Sequence, residues 1–230
     1  MVYKLLSYKL KDNERGYGGA KVLSVVKEKD IARGDSCNTS LVTMSTHAGT
    51  HLDAQRHFFA KGVSLDQYAA KDFLFFRPVA IDCPKKENEM VEVGDLKAYA
   101  AQLKTADLLL LRTGFFCFRG KAKYYRANPG IAPDAARFIM RNPNIRAVGI
   151  DTVSVSSFLQ RADGRATHRI FLSGNRRFLL IEDMDLSLAL KTLRRIRSVI
   201  AVPLLIGGSD GSSCTVIAAI ETTMSKMRNA

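Results

Sequence analysis

The sequence predicts an α/β fold built on a mixed β-sheet. Short apolar runs, such as residues 108–111, have the length and composition of strands that are buried on both faces. Helical signals lie between several of these runs, and this alternation is typical of α/β domains. The length of 230 residues fits one domain with a full core, and no internal repeat or biased tract divides the chain. We therefore predict a single domain over residues 1–230.

Eight segments have the composition expected of strands. In chain order they are residues 21–27, 38–46, 78–83, 107–112, 147–151, 178–181, 200–206 and 214–220. Asp95 is a candidate N-cap for a helix over residues 96–103, and Pro133 is placed for the first turn of a helix that includes residues 135–140. Residues 167–173 and 185–193 are further helix candidates. The glycine-rich residues 207–211 join the last two strands and predict a turn.

Composition and charge limit the kinds of partner that the protein can have. No run approaches the apolar length of a membrane-crossing helix, and the first residues do not resemble a signal peptide, so we expect a soluble, cytoplasmic protein without a membrane partner. The formal net charge of +13 raises the alternative of nucleic-acid binding. However, the basic residues are spread along the chain without an aromatic RNA-binding motif. A solvated basic surface explains them better.

A histidine cluster gives the clearest functional signal. Residues 47–57 contain three of the four histidines of the chain, and His47, His51, Asp53 and His57 are separated by four, two and four residues. In an extended segment these side chains share one face, whereas a helix would separate them. Imidazole and carboxylate groups are the usual ligands of zinc and similar divalent ions. A bend at Gly49 would bring His47 beside the others, and we therefore predict a metal site.

Two later residues are candidates to complete this site. His168 lies on a predicted short helix, and Glu182 ends the apolar strand over residues 178–181. A carboxylate at the end of a buried strand requires a partner, because an unpaired buried charge is costly. A metal ion would be such a partner. A salt bridge to one of the many arginines is the alternative, and spacing alone favours it.

The histidine cluster resembles the hallmark motif of the cyclase family, which contains bacterial kynurenine formamidase and isatin hydrolase. That motif reads His-x-Gly-Thr-His-x-Asp-x-Pro-x-His, and residues 47–57 match every fixed position except the proline, where Gln55 stands. Similar residues follow in the same order at 112–114, 128–130, 149–154, 168, 182, 203–204 and 210–212. The chain is thereby identified as a member of this family, which implies a mixed α/β architecture with a swivelling β/β/α core.

The resemblance implies two divalent metal ions per chain, with zinc as the first expectation and manganese as the second. His47, His51 and Asp53 would bind the first ion. Asp53 would also reach the second ion, which His168 would hold, and Glu182 would help to bridge the pair. The family also implies a homodimer or a homotetramer.

The implied reaction is hydrolysis of a carbon–nitrogen amide bond in an arylformamide or a cyclic amide such as a lactam. Two cations lower the pKa of a bound water and stabilise the oxyanion that forms after its attack. His57 would act as the proton shuttle rather than as a permanent ligand. Two alternatives stay open: a family member that performs cyclisation or dehydration in biosynthesis, and a basic nucleic-acid-binding protein with a structural metal.

Four residues are candidates for substrate contacts. Tyr17 lies in about the region where kynurenine formamidases have a pocket tryptophan, and this chain has no tryptophan. Gln55 replaces the motif's stiff proline and adds a polar group near the pocket. Phe115 and Phe116 belong to a long connection over residues 114–132, and connections of that length are often functional. These two rings could equally be core or subunit-interface residues.

Overall fold

The main sheet contains most of the strands in the computed structural model, which describes residues 1–222. The strands are β1 (Val2–Leu5), β2 (Leu23–Lys29), β3 (Thr39–Met44), β4 (His51–Asp53), β5 (Leu74–Phe75), β6 (Pro78–Asp82), β7 (Met90–Val91), β8 (Leu108–Arg112), β9 (Gly130–Ile131), β10 (Ala147–Ile150), β11 (Leu179–Glu182), β12 (Ile196–Pro203) and β13 (Gly211–Ile220). The helices are α1 (Val93–Lys97), α2 (Ala100–Leu103), α3 (Ala122–Arg126), α4 (Pro133–Met140), α5 (Arg161–Leu172) and α6 (Leu190–Leu193). Each of the eight predicted strand segments overlaps an observed strand.

The main sheet is mixed, as the sequence predicts. Its strand order is β5-β12-β13-β4-β11-β10-β8-β6, and β1 pairs with β13 at its side. Strands β6, β8, β10 and β11 run parallel to their neighbours within this group, whereas β4 is antiparallel to both β11 and β13. The antiparallel half continues through β12 and β5. Strand β4 therefore joins the parallel half to the antiparallel half.

The apolar run in β8 is buried on both faces, which its composition predicts. Leu108 and Leu110 belong to one buried cluster, whereas Leu109 and Leu111 belong to the cluster under α4 and α5. Successive side chains of a strand point to opposite faces, so one strand contributes to two core layers. All four side chains are completely buried, and burying each one stabilises the fold by on the order of 2 kcal/mol.

Three of the predicted helices differ from those observed. Residues 96–103 form two short helices instead of one, because Tyr99 between them leaves helical geometry at φ −104° and ψ 6°. Asp95 is not the N-cap but lies inside α1, where its carboxylate accepts a hydrogen bond from the Glu92 amide at 2.7 Å. The helix predicted over residues 167–173 begins at Arg161, since its first turn is polar and exposed and carries no apolar signal.

Of the other two predicted helices, one is confirmed and one, the third that differs, is much shorter than predicted. The helix that Pro133 was expected to begin is confirmed as α4. Residues 185–193 form only the single turn of α6, because the Asp185 amide instead donates to the carbonyl of Leu6, 2.9 Å away, beside the main sheet. The turn over residues 207–211 is confirmed as part of the connection between β12 and β13, with Gly208 at φ 71°. No helix in the described part of the chain combines the length and the apolar character needed to cross a membrane.

Candidate metal centre

Strand β4 places two of the predicted ligands on one face of the main sheet. His51 and Asp53 are two residues apart and share that face, whereas Leu52 between them joins the apolar core on the other side. In the antiparallel register, His51 lies opposite Glu182 of β11. Asp53 lies opposite Gly211 of β13. Three chain segments that are distant in sequence therefore meet at β4.

The bend expected before β4 is present and brings His47 into the same group. Gly49 has φ +61°, a left-handed conformation that favours glycine, and a Cβ there would lie 2.3 Å from the side chain of Leu10. Gly211 also gives room to the His47 ring, because a Cβ on it would lie 3.0 Å from the ring carbon Cε1. Both glycines thus permit the close approach of His47 to β4.

Two of the histidines are held in defined tautomers. Nδ1 of His51 lies 2.8 Å from the carbonyl oxygen of Gly49, and Nδ1 of His168 lies 2.8 Å from that of Gly164 in α5. Because a carbonyl oxygen only accepts hydrogen bonds, Nδ1 of each ring must carry the proton. Each neutral ring therefore has its lone pair on Nε2. Backbone support of this kind on the far nitrogen is the usual arrangement of metal-binding histidines.

The Nε2 atoms of these two rings face two buried carboxylates. His51 Nε2 lies 3.4 Å from Asp53 Oδ1 and 3.4 Å from Glu182 Oε2. His168 Nε2 lies 3.5 Å from Asp53 Oδ2 and 3.3 Å from Glu182 Oε1. Within residues 1–222, neither oxygen of the completely buried Asp53 carboxylate has a hydrogen bond of good geometry, and the nearest ring nitrogen is His47 Nδ1, 2.9 Å from Oδ1. With the rings of His51 and His168 neutral, lone pairs from four side chains thus converge.

This arrangement fits divalent metal ions. Two ligands that each lie about 2.1 Å from a tetrahedral ion are separated by about 3.4 Å, which is close to the nitrogen–oxygen distances observed. Two groups have donor atoms that all lie within 4.8 Å of one another, namely His47, Asp53 and His57, and His51, Asp53 and Glu182. Among the described residues Asp53 belongs to both groups, and its Oδ1 and Oδ2 face His51 and His168, respectively.

A third carboxylate, which the sequence did not single out, contacts two of the histidines. Asp210 Oδ2 lies 2.8 Å from His47 Nε2 and 3.0 Å from His57 Nδ1, and the Thr46 hydroxyl donates to Oδ1 at 3.0 Å. With Nε2 of His47 donating to Asp210, its Nδ1 faces Asp53 Oδ1 at 2.9 Å. The similarity at residues 210–212 was the available signal, but the glycines around Asp210 predicted only a turn.

The cluster strongly favours positive charge. Burial lowers the pKa of His168, but the carboxylates of Asp53 and Glu182 outweigh it and raise that pKa to about 10. The pKa of His47 is also lowered by burial, but the carboxylates of Asp53 and Asp210 outweigh this effect and raise it to about 9. Burial raises the pKa of Asp53, yet the surrounding histidines hold it well below its usual range. Metal ions would supply the same charge while leaving the rings neutral.

A cavity of about 340 Å³ opens over the cluster. His47, His51, His57, His168 and Glu182 lie along its lining. The other lining residues that form its apolar walls are Tyr17, Val22, Phe58 and Val153. The structure thus brings the predicted metal ligands and the predicted proton shuttle together at one cavity, whose volume suits a small organic ligand.

Tyr17 lines this cavity, but the other three candidate substrate contacts lie elsewhere. Gln55 is buried, and its side-chain amide donates to the carbonyls of Gly174 and Arg176, where it holds a loop. Phe115 is completely buried in a small aromatic cluster, and Phe116 packs under the Arg112 guanidinium. Side-chain direction, which the sequence does not reveal, separates these residues from the cavity.

Comparison with known proteins identifies relatives of this chain. The model of the Cyclase family matches residues 6–157. An uncharacterized protein of Haemophilus influenzae is 36% identical over 129 residues, which cover 55% of this chain and 91% of that protein. A kynurenine formamidase of Bacillus thuringiensis is 30% identical over 182 residues, which cover 77% of this chain and 78% of that enzyme. The chain spans 56 to 66% of the length of three cyclase-like proteins from Oryza sativa and Arabidopsis thaliana.

Solved structures show the same fold. Isatin hydrolase A from Labrenzia aggregata, solved with benzyl benzoate bound, superposes with a TM-score of 0.80 at 22% identity. The superposition covers 96% of this chain and 94% of that chain. The mixed α/β architecture expected from the sequence is therefore confirmed. With most of the chain matched in sequence and nearly all of it in fold, this protein belongs to the cyclase family.

Proposed function

We propose that this protein is a metal-dependent hydrolase of a carbon–nitrogen amide bond. The observation that carries the proposal is the buried Asp53 carboxylate, whose oxygens form no well-aligned hydrogen bond among residues 1–222 and face ring nitrogens of His47, His51 and His168. This is a costly arrangement for a protein without a cation at that position. The relatives named kynurenine formamidase and isatin hydrolase support amide hydrolysis as the reaction class.

Five side chains would hold two divalent ions, zinc first and manganese as the alternative. They are His47, His51, Asp53, His168 and Glu182. When bound, such ions supply an activated water and polarise the substrate carbonyl. Glu182 is fixed for this role, because its Oε1 accepts from the Val155 amide at 2.7 Å and from the Ser154 hydroxyl at 3.0 Å.

His57 is the residue best placed to move a proton. Its Nδ1 donates to the Asp210 carboxylate, so the neutral ring keeps its lone pair on Nε2. The ring lines the cavity and its side chain is 27% exposed, which leaves it accessible to a substrate. Nε2 would accept the proton of the attacking water and return it to the departing amine.

The walls of the cavity favour a substrate with a flat, apolar body. Tyr17 and Phe58 contribute aromatic rings, and Phe58 stacks on the His168 ring with centroids 4.6 Å apart. An aryl group next to the scissile amide would bury its faces against these rings. Arylformamides and aromatic lactams both meet this requirement.

Elemental analysis together with an activity assay tests the proposal. Protein purified without added metal should bind about two divalent ions per chain and should hydrolyse formylkynurenine or isatin. A chelator should abolish this activity, and zinc or manganese should restore it. Asp53→Asn provides the matched control, because it keeps the side-chain volume but should lose metal and turnover together. Absence of bound ions and of amide hydrolysis, combined with salt-dependent binding to DNA or RNA, would instead favour the nucleic-acid-binding alternative.

A further inference from the structure

Two arginines line the cavity above the histidine cluster, and the proposed hydrolysis uses neither of their charges. Arg161 and Arg165 lie one turn apart at the start of α5, and His168 follows on the same side of this helix. With a rise of about 1.5 Å per residue, Arg165 lies about 4.5 Å and Arg161 about 10.5 Å along the helix axis from His168. The two cations therefore lie along the cavity lining at increasing distance from His168.

Neither arginine forms an ion pair within residues 1–222, although several other arginines do. The Arg161 guanidinium lies 4.2 Å from the ring centroid of Phe158, and its Nε donates to the carbonyl of the same residue at 3.2 Å. Asp163, the acidic residue of the same turn, does not line the cavity. The acid that does line it, Glu182, faces His51 and is therefore engaged at the cluster.

An aromatic pair lies beside Arg161, with Tyr17 in the cavity lining. The Tyr17 hydroxyl donates to the carbonyl of Ser157, and the Tyr17 ring meets the Phe158 ring edge-on with centroids 5.5 Å apart. Phe158 in turn supports Arg161. A substrate whose amide reaches the histidine cluster would therefore lay its apolar body along Tyr17 and direct its far end towards the two guanidinium groups.

We infer that the amide substrate of this enzyme carries a carboxylate, which Arg161 and Arg165 bind while the amide lies at the histidine cluster. Guanidinium groups match the planar geometry of a carboxylate with paired hydrogen bonds. Because neither cation has an acidic partner among the described residues, the carboxylate would meet two charges that no ion pair compensates. This inference deepens the proposed amide hydrolysis and rests on it.

Matched substrates test the inference. Formanilides that carry a carboxylate at the ortho, meta or para position are compared with the corresponding carboxamides, which have nearly the same shape but no charge. Formate release by the metal-loaded protein is measured for each. For the best isomer, kcat/KM should be about tenfold higher for the acid than for the carboxamide, mainly through KM. This preference should weaken with added salt, since the two arginines are exposed.

Variants assign the preference to the arginines. In the double variant Arg161→Gln/Arg165→Gln, the ratio between acid and carboxamide should fall to near one. Arg169→Gln is the matched control, because Arg169 is exposed on the same helix but does not line the cavity, and it should keep the ratio. A ratio near one in the unsubstituted protein would overturn the inference. So would a ratio that survives in the double variant, since a metal ion would then bind the carboxylate.

A binding measurement separates this inference from the proposed function. Titration calorimetry compares the affinity of the metal-loaded protein for 3-aminobenzoate and for 3-aminobenzamide, with and without the double substitution. If no formanilide, formylkynurenine or isatin is hydrolysed, the proposed function fails, yet preferential binding of the acid that depends on both arginines still supports the anion site. Hydrolysis of neutral amides without any acid preference leaves the function intact and removes the inference.

Discussion

The backbone contacts of individual histidines prepare this site for metal. His51 and His168 both donate from Nδ1 to carbonyl oxygens, so their free nitrogens point at carboxylates without rearrangement. His57 differs because its Nδ1 contacts the partly exposed Asp210, and its ring lies at the cavity. The chemical role of each histidine thus follows from what its second nitrogen contacts.

Removing the His57 ring should separate metal binding from catalysis. His57→Ala should retain the full metal content, because the five proposed ligands keep their contacts. Its kcat should fall by about 10²- to 10⁴-fold, the usual contribution of a positioned proton-transfer group. Elemental analysis and steady-state kinetics measure the two effects. A fully active variant would show that Nε2 of His57 does not move the proton, and loss of metal would show that the ring is a ligand.

Asp210 should act by fixing the ring orientation and tautomer of His57. In Asp210→Asn the oxygen that accepts from His47 and His57 loses its negative charge, so it accepts more weakly and holds the proton of His57 on Nδ1 less firmly. We expect kcat to fall by roughly 10²-fold with little change in KM. The ¹⁵N chemical shifts of the His57 ring report the tautomer directly. Asp210→Glu, which retains the charge, should recover part of the activity, and unchanged ¹⁵N shifts in Asp210→Asn would contradict this role.

The sequence predicted which side chains lie together at the cluster better than it predicted their surroundings. Three histidines and an aspartate in one short motif, followed by His168 and Glu182, identified the cluster through residue chemistry and a family pattern. Nothing in the motif indicates that the side chain of Gln55 turns into a loop, or that Phe115 faces the core, since both depend on packing between distant segments. Asp210 was missed because a carboxylate in a glycine-rich turn has a sufficient local explanation.

Helix α5 and strand β4 position the site, and α5 depends on one glycine. A Cβ on Gly164 would lie 2.1 Å from Ser156 Oγ and 2.9 Å from the backbone of that residue. Because the Gly164 carbonyl also holds Nδ1 of His168, the close contact fixes both the helix and its ligand. The absence of a side chain at Gly164 thus allows α5 to approach residues 154–156, which include the two residues that donate hydrogen bonds to Glu182.

Substitution of Gly164 should lower the metal affinity of the site although the residue is not itself a proposed ligand. Gly164→Ala should move α5 outwards, lower the affinity for the second metal ion by roughly tenfold or more, and reduce the free energy of unfolding by about 1–3 kcal/mol. Competition with a metal-ion indicator measures the affinity, and denaturant unfolding measures the stability. Gly94→Ala in α1 is the control, since its Cβ would meet no atom within 4 Å and should leave metal affinity unchanged. Equal metal affinities in the two variants would contradict the positioning role of α5.

Strands were easier to predict than the elements that carry ligands. Long apolar runs such as the one in β8 have no other stable environment than the interior of a sheet, so their positions were clear. Strand β4 consists of His51, Leu52 and Asp53, and its single apolar residue is too weak a signal. The start of α5 was missed because Arg161 to Gly164 provide no buried face apart from the glycine itself.

Across the whole molecule, the candidate metal centre combines residues from both halves of the main sheet and from the helical layer. Its proposed ligands come from β4, β11, α5 and the bend before β4. Ions bound there would oppose separation of these elements, because the unfolded chain does not offer the same site. The homodimer or homotetramer implied by the family resemblance stays a prediction, which sedimentation of the purified protein tests.

Metal removal should therefore lower the stability of the entire domain. At metal concentrations about a thousandfold above the dissociation constant, chelation should lower Tm by roughly 10 °C. Differential scanning calorimetry with and without chelator measures this shift. Asp53→Asn should show little further shift on chelation, because its site is already impaired. An unsubstituted protein whose Tm does not respond to chelation would argue against bound ions in the folded state.

The Asp210 carboxylate that contacts His47 lies 163 positions further along the chain. A nascent polypeptide on the ribosome therefore lacks the carboxylate that contacts His47 until residue 210 has been synthesised. Ions would be captured by the apoprotein after that point rather than guide its early collapse. The metal that the protein acquires would then depend on the local abundance of each ion and on its relative affinity. Cultures grown in zinc-rich and in manganese-rich media should therefore yield the same polypeptide structure with different ion contents.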